Sequence, residues 1–197
     1  MDTLSITPAP GDALVIVDVQ VDFLPGGSLA VPDGQEILPA VNRYISFFSG
    51  QHCAIVATRD WHPADHCSFR ARGGIWPPHC IAGTSGAAFA PGLALPAQTI
   101  VISKATTPDM EAYSGFQGTA LAERLRELGV HRIFVVGLAT DYCVLHTVKD
   151  AIAAGFAVVL LLDAVRAVDV QPGDGAKAIA EMKALGAVVV ETMAVAA

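Results

Sequence analysis

One cysteine of the sequence lies at a position that a packing residue does not require. The stretch HRIFVVGL at 131–138 predicts a buried strand, and YCVLHTVKDAIAAG at 142–155 predicts a helix that ends at Gly155. Cys143 therefore falls in the first turn of a helix that follows a strand. The unpaired N–H groups of such a turn favour negative charge and lower a cysteine pKa, which favours a thiolate nucleophile. Taken alone, however, a small core residue explains Cys143 better, since free cysteine is commonly buried.

Two further charged side chains close predicted strands. Asp18 ends the apolar run at 13–18, and Lys104 ends the run at 99–104. Ligands of open α/β sheets bind beyond the carboxyl ends of the strands, so we expect both side chains to lie near Cys143. The carboxylate could take the thiol proton, the lysine would stabilise anions, and the N–H groups of the helix start could bind an oxyanion. Together the three residues predict acyl-transfer chemistry at a carbonyl.

A second group of side chains follows the strand that ends at Asp60. His62 and His66 come soon after it, and His79 is supplied by the far end of the same loop. One carboxylate with two or three imidazoles offers a site for a divalent ion such as zinc, iron or manganese. Asp60 and His62 project to one face of an extended segment, whereas His66 could be a further ligand or could hydrogen-bond to one. A loop rich in surface histidines is the alternative.

These residues must be positioned by an alternation of strands and helices. Apolar runs predict strands at 13–18, 53–60, 99–104, 132–138, 156–163 and 187–192. Helical periodicity predicts helices at 36–50, 119–129, 141–154 and 175–186. This order predicts an α/β fold in one domain over 1–197, a doubly wound sheet of mainly parallel strands with helices on both faces. The connection at 61–98 is long, and long loops in compact domains are usually functional.

Composition excludes several classes of protein. The 197 residues carry a formal net charge of −7 without a basic run, so nucleic acid and anionic membranes are poor partners. The longest apolar run, at 156–162, is far shorter than the roughly 20 residues of a membrane span. The first residues do not resemble a signal peptide, so we expect a cytoplasmic protein with reduced cysteines. No GxGxxG or Walker A pattern follows a strand, which argues against a nucleotide-binding protein.

Five stretches of the chain, in order, carry a family resemblance. The stretches are VDVQVDFLPGGSLAV (17–31), TRDWHPADHCSF (58–69), WPPHCIAGTSGAAF (76–89), SKATTPDMEAYSGF (103–116) and GLATDYCVLHTVKDA (137–151). On these stretches the chain resembles the nicotinamidases of the isochorismatase-like cysteine hydrolase superfamily, over nearly its whole length. The resemblance implies six strands in the doubly wound sheet.

The resemblance also implies roles for individual residues. The family's catalytic triad matches Asp18, Lys104 and Cys143. Its metal ligands match Asp60, His62 and His79, with His66 an additional ligand in some relatives. The family's cis peptide matches the bond between Leu138 and Ala139, and the resemblance implies an oxyanion hole formed by the N–H groups of Ala139 and Cys143. The aromatic walls of the family's pocket match Phe23 and Trp76, with Tyr113 at the pocket edge.

The implied activity is metal-dependent hydrolysis of nicotinamide to nicotinate and ammonia, a step of NAD salvage that passes through a thioester on Cys143. Flat aromatic amides such as pyrazinamide are expected to fit the same pocket. The implied cofactor is one divalent transition metal ion, zinc first, with iron or manganese as alternatives. Two other functions stay open: an N-carbamoyl or ureido amidase of the same superfamily, which would lack the metal histidines, and a non-catalytic binding protein on this fold. The sequence does not determine the oligomeric state, and a homo-oligomer is among the options.

Overall fold

The fold is known from a computed structural model that describes residues 7–194; the two ends of the domain expected over 1–197, residues 1–6 and 195–197, lie outside the described residues. Within that range, six parallel strands form one sheet in the order β3-β2-β1-β4-β5-β6, which confirms the doubly wound prediction. The strands are β1 Asp12–Val17, β2 Ala54–Asp60, β3 Ile100–Lys104, β4 Arg132–Leu138, β5 Ala157–Arg166 and β6 Val188–Val190.

Helices cover both faces of the sheet because the central strands are apolar on both sides. In β1, Leu14 and Ile16 belong to one hydrophobic core, and Ala13, Val15 and Val17 belong to the other. The first core is closed by α1, and the second by α2, α3 and α4. The helices are α1 Leu38–Gly50, α2 Leu121–Glu127, α3 Leu145–Ala153 and α4 Asp174–Ala184.

The helix predicted at 141–154 begins differently from the prediction. Thr140–Val144 forms a π-helical turn, and α3 proper begins only at Leu145. The turn is wide because the N–H of Val144 donates to the carbonyl oxygen of Ala139, five residues earlier, at 3.1 Å; the N–H of Tyr142 donates to the same oxygen, also at 3.1 Å. Cys143 therefore lies in a π-turn, a feature that is frequent at functional sites, rather than in a first α-helical turn.

The first strand also ends one residue earlier than predicted. β1 stops at Val17, and Asp18 takes a left-handed conformation with φ of 48°. A non-glycine residue with positive φ is uncommon, and such residues cluster at active sites. Beside it, Gly137 of β4 has φ of 117°, and a Cβ atom there would lie 2.1 Å from the carbonyl oxygen of Val17. Only glycine lets the two central strands approach this closely next to Asp18.

A helix that spans a membrane must be long and predominantly apolar. Across residues 7–194, none of the helices combines the length and the apolar character needed to cross a bilayer.

Candidate active site

The carboxyl edge of the sheet brings four predicted side chains together. Asp18, Asp60 and Lys104 follow or end β1, β2 and β3, and Cys143 lies in the turn after β4. Lys104 is at the centre: its Nζ lies 2.9 Å from Asp18 Oδ2, 2.5 Å from Asp60 Oδ1 and 3.5 Å from Cys143 Sγ. All four are buried, so these interactions are shielded from water.

The two carboxylates keep the buried lysine charged. Burial alone would lower the pKa of Lys104, but Asp18 and Asp60 outweigh it and raise that pKa well above its usual value. Burial would likewise raise the pKa of Asp60, yet Lys104 and His62 reverse the effect and hold it below its usual range. Lys104 is therefore an ammonium ion, and Asp60 is a carboxylate, at neutral pH.

The thiol of Cys143 is protonated in this arrangement. Burial raises its pKa well above the usual value, Lys104 opposes that rise, and Asp18 and Asp60 add to it. The sequence-based prediction of a lowered thiol pKa is thus wrong for this arrangement, because burial and two nearby carboxylates outweigh the opposing effect of Lys104. A nucleophile at this position needs a base that removes its proton during attack.

Asp18 has an oxygen available for that proton. Its Oδ1 accepts a hydrogen bond from Thr58 Oγ1 at 2.7 Å, which fixes the carboxyl plane. Its Oδ2 contacts Lys104 Nζ outside hydrogen-bond geometry and accepts no hydrogen bond from the described residues. Carboxylate oxygens of Asp18 and Asp60 and the sulfur of Cys143 lie within 4.8 Å of one another. Burial raises the pKa of Asp18, as is expected of a carboxylate that is poised to accept a proton.

On the other side of Asp60, three buried residues form a candidate metal centre. One ligand atom each of Asp60, His62 and His79 lies within 4.8 Å of the others. The Nδ1–H of His79 donates to the carbonyl oxygen of Pro77 at 2.8 Å, which leaves its Nε2 free as a ligand. Burial lowers the pKa of His79, so the ring is neutral, as metal binding requires.

The surroundings of the His62 ring show whether these residues suit a metal ion. Both of its ring nitrogens are buried and have no hydrogen-bond partner among the described residues. A buried imidazole without a partner is costly, whereas coordination to an ion would satisfy it. One carboxylate and two imidazoles are a donor set typical of divalent transition metals, so the residues fit such an ion.

His66 lies beside this centre but its nitrogens are already engaged. Its Nδ1 accepts a hydrogen bond from the N–H of Ser68 at 3.3 Å and lies 2.7 Å from Ser68 Oγ. Its Nε2 therefore carries the proton and donates to the carbonyl oxygen of Met110 at 3.0 Å. The ring packs on His62 with a centroid distance of 4.2 Å. In this geometry His66 packs against His62, and a role as a fourth ligand stays a prediction.

A narrow cavity opens directly above Cys143. Its lining includes the predicted wall residues Phe23, Trp76 and Tyr113 together with Asp60, His79, Ala139 and Cys143. The indole N–H of Trp76 donates to Tyr113 Oη at 2.9 Å, so the two rings are held as one surface. The peptide between Leu138 and Ala139 is cis, as the family resemblance implies. The cavity thus offers aromatic walls, a thiol at its floor and the candidate metal centre at one side.

Several residues at this site were missed by the sequence reasoning. Leu29, Val31, Tyr142 and Val168 also line the cavity. Gln20 is fully buried, and its amide group makes two hydrogen bonds of 2.8 Å to the backbone N–H and C=O of Asp60. The stretch VDVQVDF carried the only signal for Gln20, which is a polar residue between two valines close to the end of a buried strand.

Comparisons with known proteins agree with this geometry. The model of the isochorismatase domain family matches residues 12–194. A nicotinamidase of Escherichia coli (strain K12) is 39% identical over 199 residues, covering 90% of this chain and 93% of that protein. The crystal structure of a pyrazinamidase of Pyrococcus horikoshii in complex with zinc is 52% identical, with a TM-score of 0.88 over 92% of this chain and 99% of that one. PnC1 of L. infantum, solved in complex with nicotinate, is 42% identical, with a TM-score of 0.89 over 95% and 96%.

Proposed function

Because this chain belongs to the isochorismatase family, we propose that its buried Cys143 hydrolyses nicotinamide to nicotinate and ammonia. One observation carries the proposal: Lys104 Nζ lies within 3.5 Å of both Asp18 and Cys143, and Cys143 itself lines an aromatic cavity. Relatives named nicotinamidase or nicotinamidase/pyrazinamidase, 36–44% identical over most of the chain, support the same substrate class.

Binding of the substrate uses the walls of the cavity. Phe23 and Trp76 hold the pyridine ring, and Tyr113 fixes the indole of Trp76 through its hydroxyl oxygen. Asp60, His62 and His79 would hold one divalent ion, which when bound would offer a coordination position to the ring nitrogen and fix the orientation of the amide. Zinc is the ion we propose, because the donor set suits it and the similar pyrazinamidase was solved with zinc.

Acylation then depends on the chain's own residues. Asp18 accepts the proton of Cys143 as the sulfur attacks the carboxamide carbon, because its Oδ2 accepts no hydrogen bond from the described residues. Lys104 stabilises the thiolate as it forms and keeps Asp18 in place. The N–H groups of Ala139 and Cys143 stabilise the oxyanion of the tetrahedral intermediate.

Release of the products completes the cycle. Asp18 returns the proton to the amide nitrogen, so that ammonia leaves and a nicotinoyl thioester remains on Cys143. Water, deprotonated by the same carboxylate, attacks the thioester; the C–S bond breaks, the sulfur of Cys143 takes the proton back from Asp18, and nicotinate is released. The pocket contacts a flat ring and a carboxamide, so pyrazinamide is a second substrate in this proposal.

The nearest rival is an N-carbamoyl amidase of the same family, which would share the triad. The buried group of Asp60, His62 and His79 favours the nicotinamidase, because an N-carbamoyl group offers no ring nitrogen for an ion. Ammonia release from nicotinamide, pyrazinamide and an N-carbamoyl amino acid tests the choice. The proposal requires release from the two aromatic amides and loss of it in Cys143→Ala, with an unchanged melting temperature. Release from the N-carbamoyl compound alone would contradict it.

A further inference from the structure

One carboxylate joins two loops that form different parts of the site. Asp22 is 8% exposed, and its Oδ2 accepts a hydrogen bond of 2.7 Å from the backbone N–H of Cys80. Its Oδ1 accepts a second bond, of 3.1 Å, from the backbone N–H of Ser28. No ion pair among residues 7–194 includes Asp22, so its described partners are backbone groups.

The two loops supply different functions. The loop after Asp22 carries the cavity-lining residues Leu29 and Val31, and Phe23 is the next residue of the chain. Cys80 directly follows the candidate metal ligand His79. The rings of Phe23 and His79 are only 5.7 Å apart, so a shift between the two loops would move the aromatic wall against the ligand.

The surrounding backbone is shaped to hold this carboxylate. The N–H of Asp22 donates to the carbonyl oxygen of Gly86 at 3.0 Å, and the carbonyl oxygen of Asp22 accepts from Leu29 N–H at 3.0 Å. A Cβ atom on Gly86 would lie 2.2 Å from Asp22 Oδ2, and one on Gly27 would lie 2.4 Å from the Asp22 carbonyl oxygen. Gly86 therefore leaves room for the carboxylate of Asp22, and Gly27 leaves room for its backbone.

We propose that Asp22 is a positioning residue: it fixes the position of the aromatic wall at Phe23 relative to the metal ligand His79. The inference rests on the proposed function, since it concerns the ion that Asp60, His62 and His79 would hold. It adds that affinity for the ion and affinity for the substrate ring are set by the same carboxylate. Residues that orient a metal ligand typically change metal affinity or activity about 10–100-fold when substituted.

The variant Asp22→Asn tests this with little change of shape. Its amide oxygen can accept one of the two N–H bonds, but its NH₂ group then faces the other N–H. We expect zinc affinity, measured by competition with a chelating dye and without substrate, to fall about 10-fold or more. KM for nicotinamide should rise. The value of kcat should change much less, because Asp18 follows β1 and Lys104 ends β3, and neither is bonded to the carboxylate of Asp22.

Two more variants separate position from charge. Gly86→Ala keeps the carboxylate but pushes its oxygen, so it should weaken zinc binding in the same direction. Asp141→Asn is the matched control, because Asp141 also accepts two backbone N–H groups, those of Val168 and Asp169 at 2.9 and 2.8 Å, but contacts no residue of the metal centre. Its zinc affinity should equal that of the wild type.

The outcomes distinguish this inference from the proposed function. If the wild type binds zinc and hydrolyses nicotinamide while Asp22→Asn and Gly86→Ala bind zinc equally well, the positioning role is wrong and the function stands. An equal loss of zinc affinity in Asp141→Asn would also overturn it, by showing a general loss of loop order. Failure of both variants to fold would mean that Asp22 serves the fold rather than the site. A wild type that hydrolyses no aromatic amide would instead overturn the proposed function.

Discussion

Replacing Lys104 with methionine should destabilise the protein far more than an ordinary lysine substitution does. The ammonium is buried and lies 2.9 Å from Asp18 and 2.5 Å from Asp60. Methionine fills much of the same volume and removes the charge, which leaves two buried carboxylates without their cation. Removing one partner of a buried ion pair costs about 3–5 kcal/mol, and we expect a loss in that range from the free energy of unfolding at neutral pH.

The pH dependence of this loss has a definite sign. In the wild type, Lys104 holds the pKa of Asp60 below its usual range, so the stability this contributes is present at neutral pH and is lost only in strong acid. Without the ammonium, burial raises the carboxylate pKa values, and the folded variant then gains protons as the pH falls. The difference between wild type and variant should therefore shrink between neutral pH and about pH 5.

Urea denaturation of the chelator-treated proteins measures this difference. The metal-free form is used because a divalent ion beside Asp60 would replace part of the missing positive charge. Lys183→Met is the control, since Lys183 is exposed and should change stability by no more than about 0.5 kcal/mol. A Lys104→Met loss as small as that of the control, or a loss that grows toward acid, would refute the electrostatic reasoning.

Three further predictions concern catalysis and binding. Asp18→Asn and Lys104→Ala should each remove most of the ammonia release and the double variant little more, because residues that act as a unit are not additive; losses that multiply would contradict the unit. Chelation should lower kcat/KM for nicotinamide steeply and that for benzamide, which lacks the ring nitrogen, much less; equal proportional losses would mean that the ion serves the chemistry or the fold. Tyr113→Phe removes the acceptor of the Trp76 N–H, and the loss of about 1 kcal/mol should raise KM for nicotinamide roughly 5-fold. Tyr142→Phe is the control that should leave KM unchanged, because the Tyr142 hydroxyl makes no hydrogen bond in the described residues.

The sheet and the reactive residues at its edge could be predicted because both follow from local pattern. Apolar runs that end in Asp18, Asp60 and Lys104 identify strand ends, and a doubly wound sheet must bring those ends to one edge. The position of Cys143 was predicted by the same rule. The roles carried over from the family resemblance to Ala139, Phe23 and Trp76 remain proposals, although all three line the cavity.

Features that depend on burial and long-range contact could not be predicted. The direction of the Cys143 pKa shift depends on how deeply the thiol is buried and on two carboxylates from other strands. The π-turn depends on the hydrogen bond from the Val144 N–H to the Ala139 carbonyl five residues earlier, which helical periodicity does not distinguish from an α-helical start. Gln20 and Asp22 act on residues 40 and 58 positions away, and no spacing rule predicts such pairs.

The central claim is that Cys143 forms a nicotinoyl thioester. The most direct test mixes the metal-loaded enzyme with excess nicotinamide, quenches in acid within the first turnovers and measures the intact mass and the modified peptide. The account predicts a mass increase of one nicotinoyl group on the peptide that contains Cys143, and its absence in Cys143→Ala together with ammonia release. Ammonia release that persists in Cys143→Ala, or a nicotinoyl group found on a different residue, would contradict it.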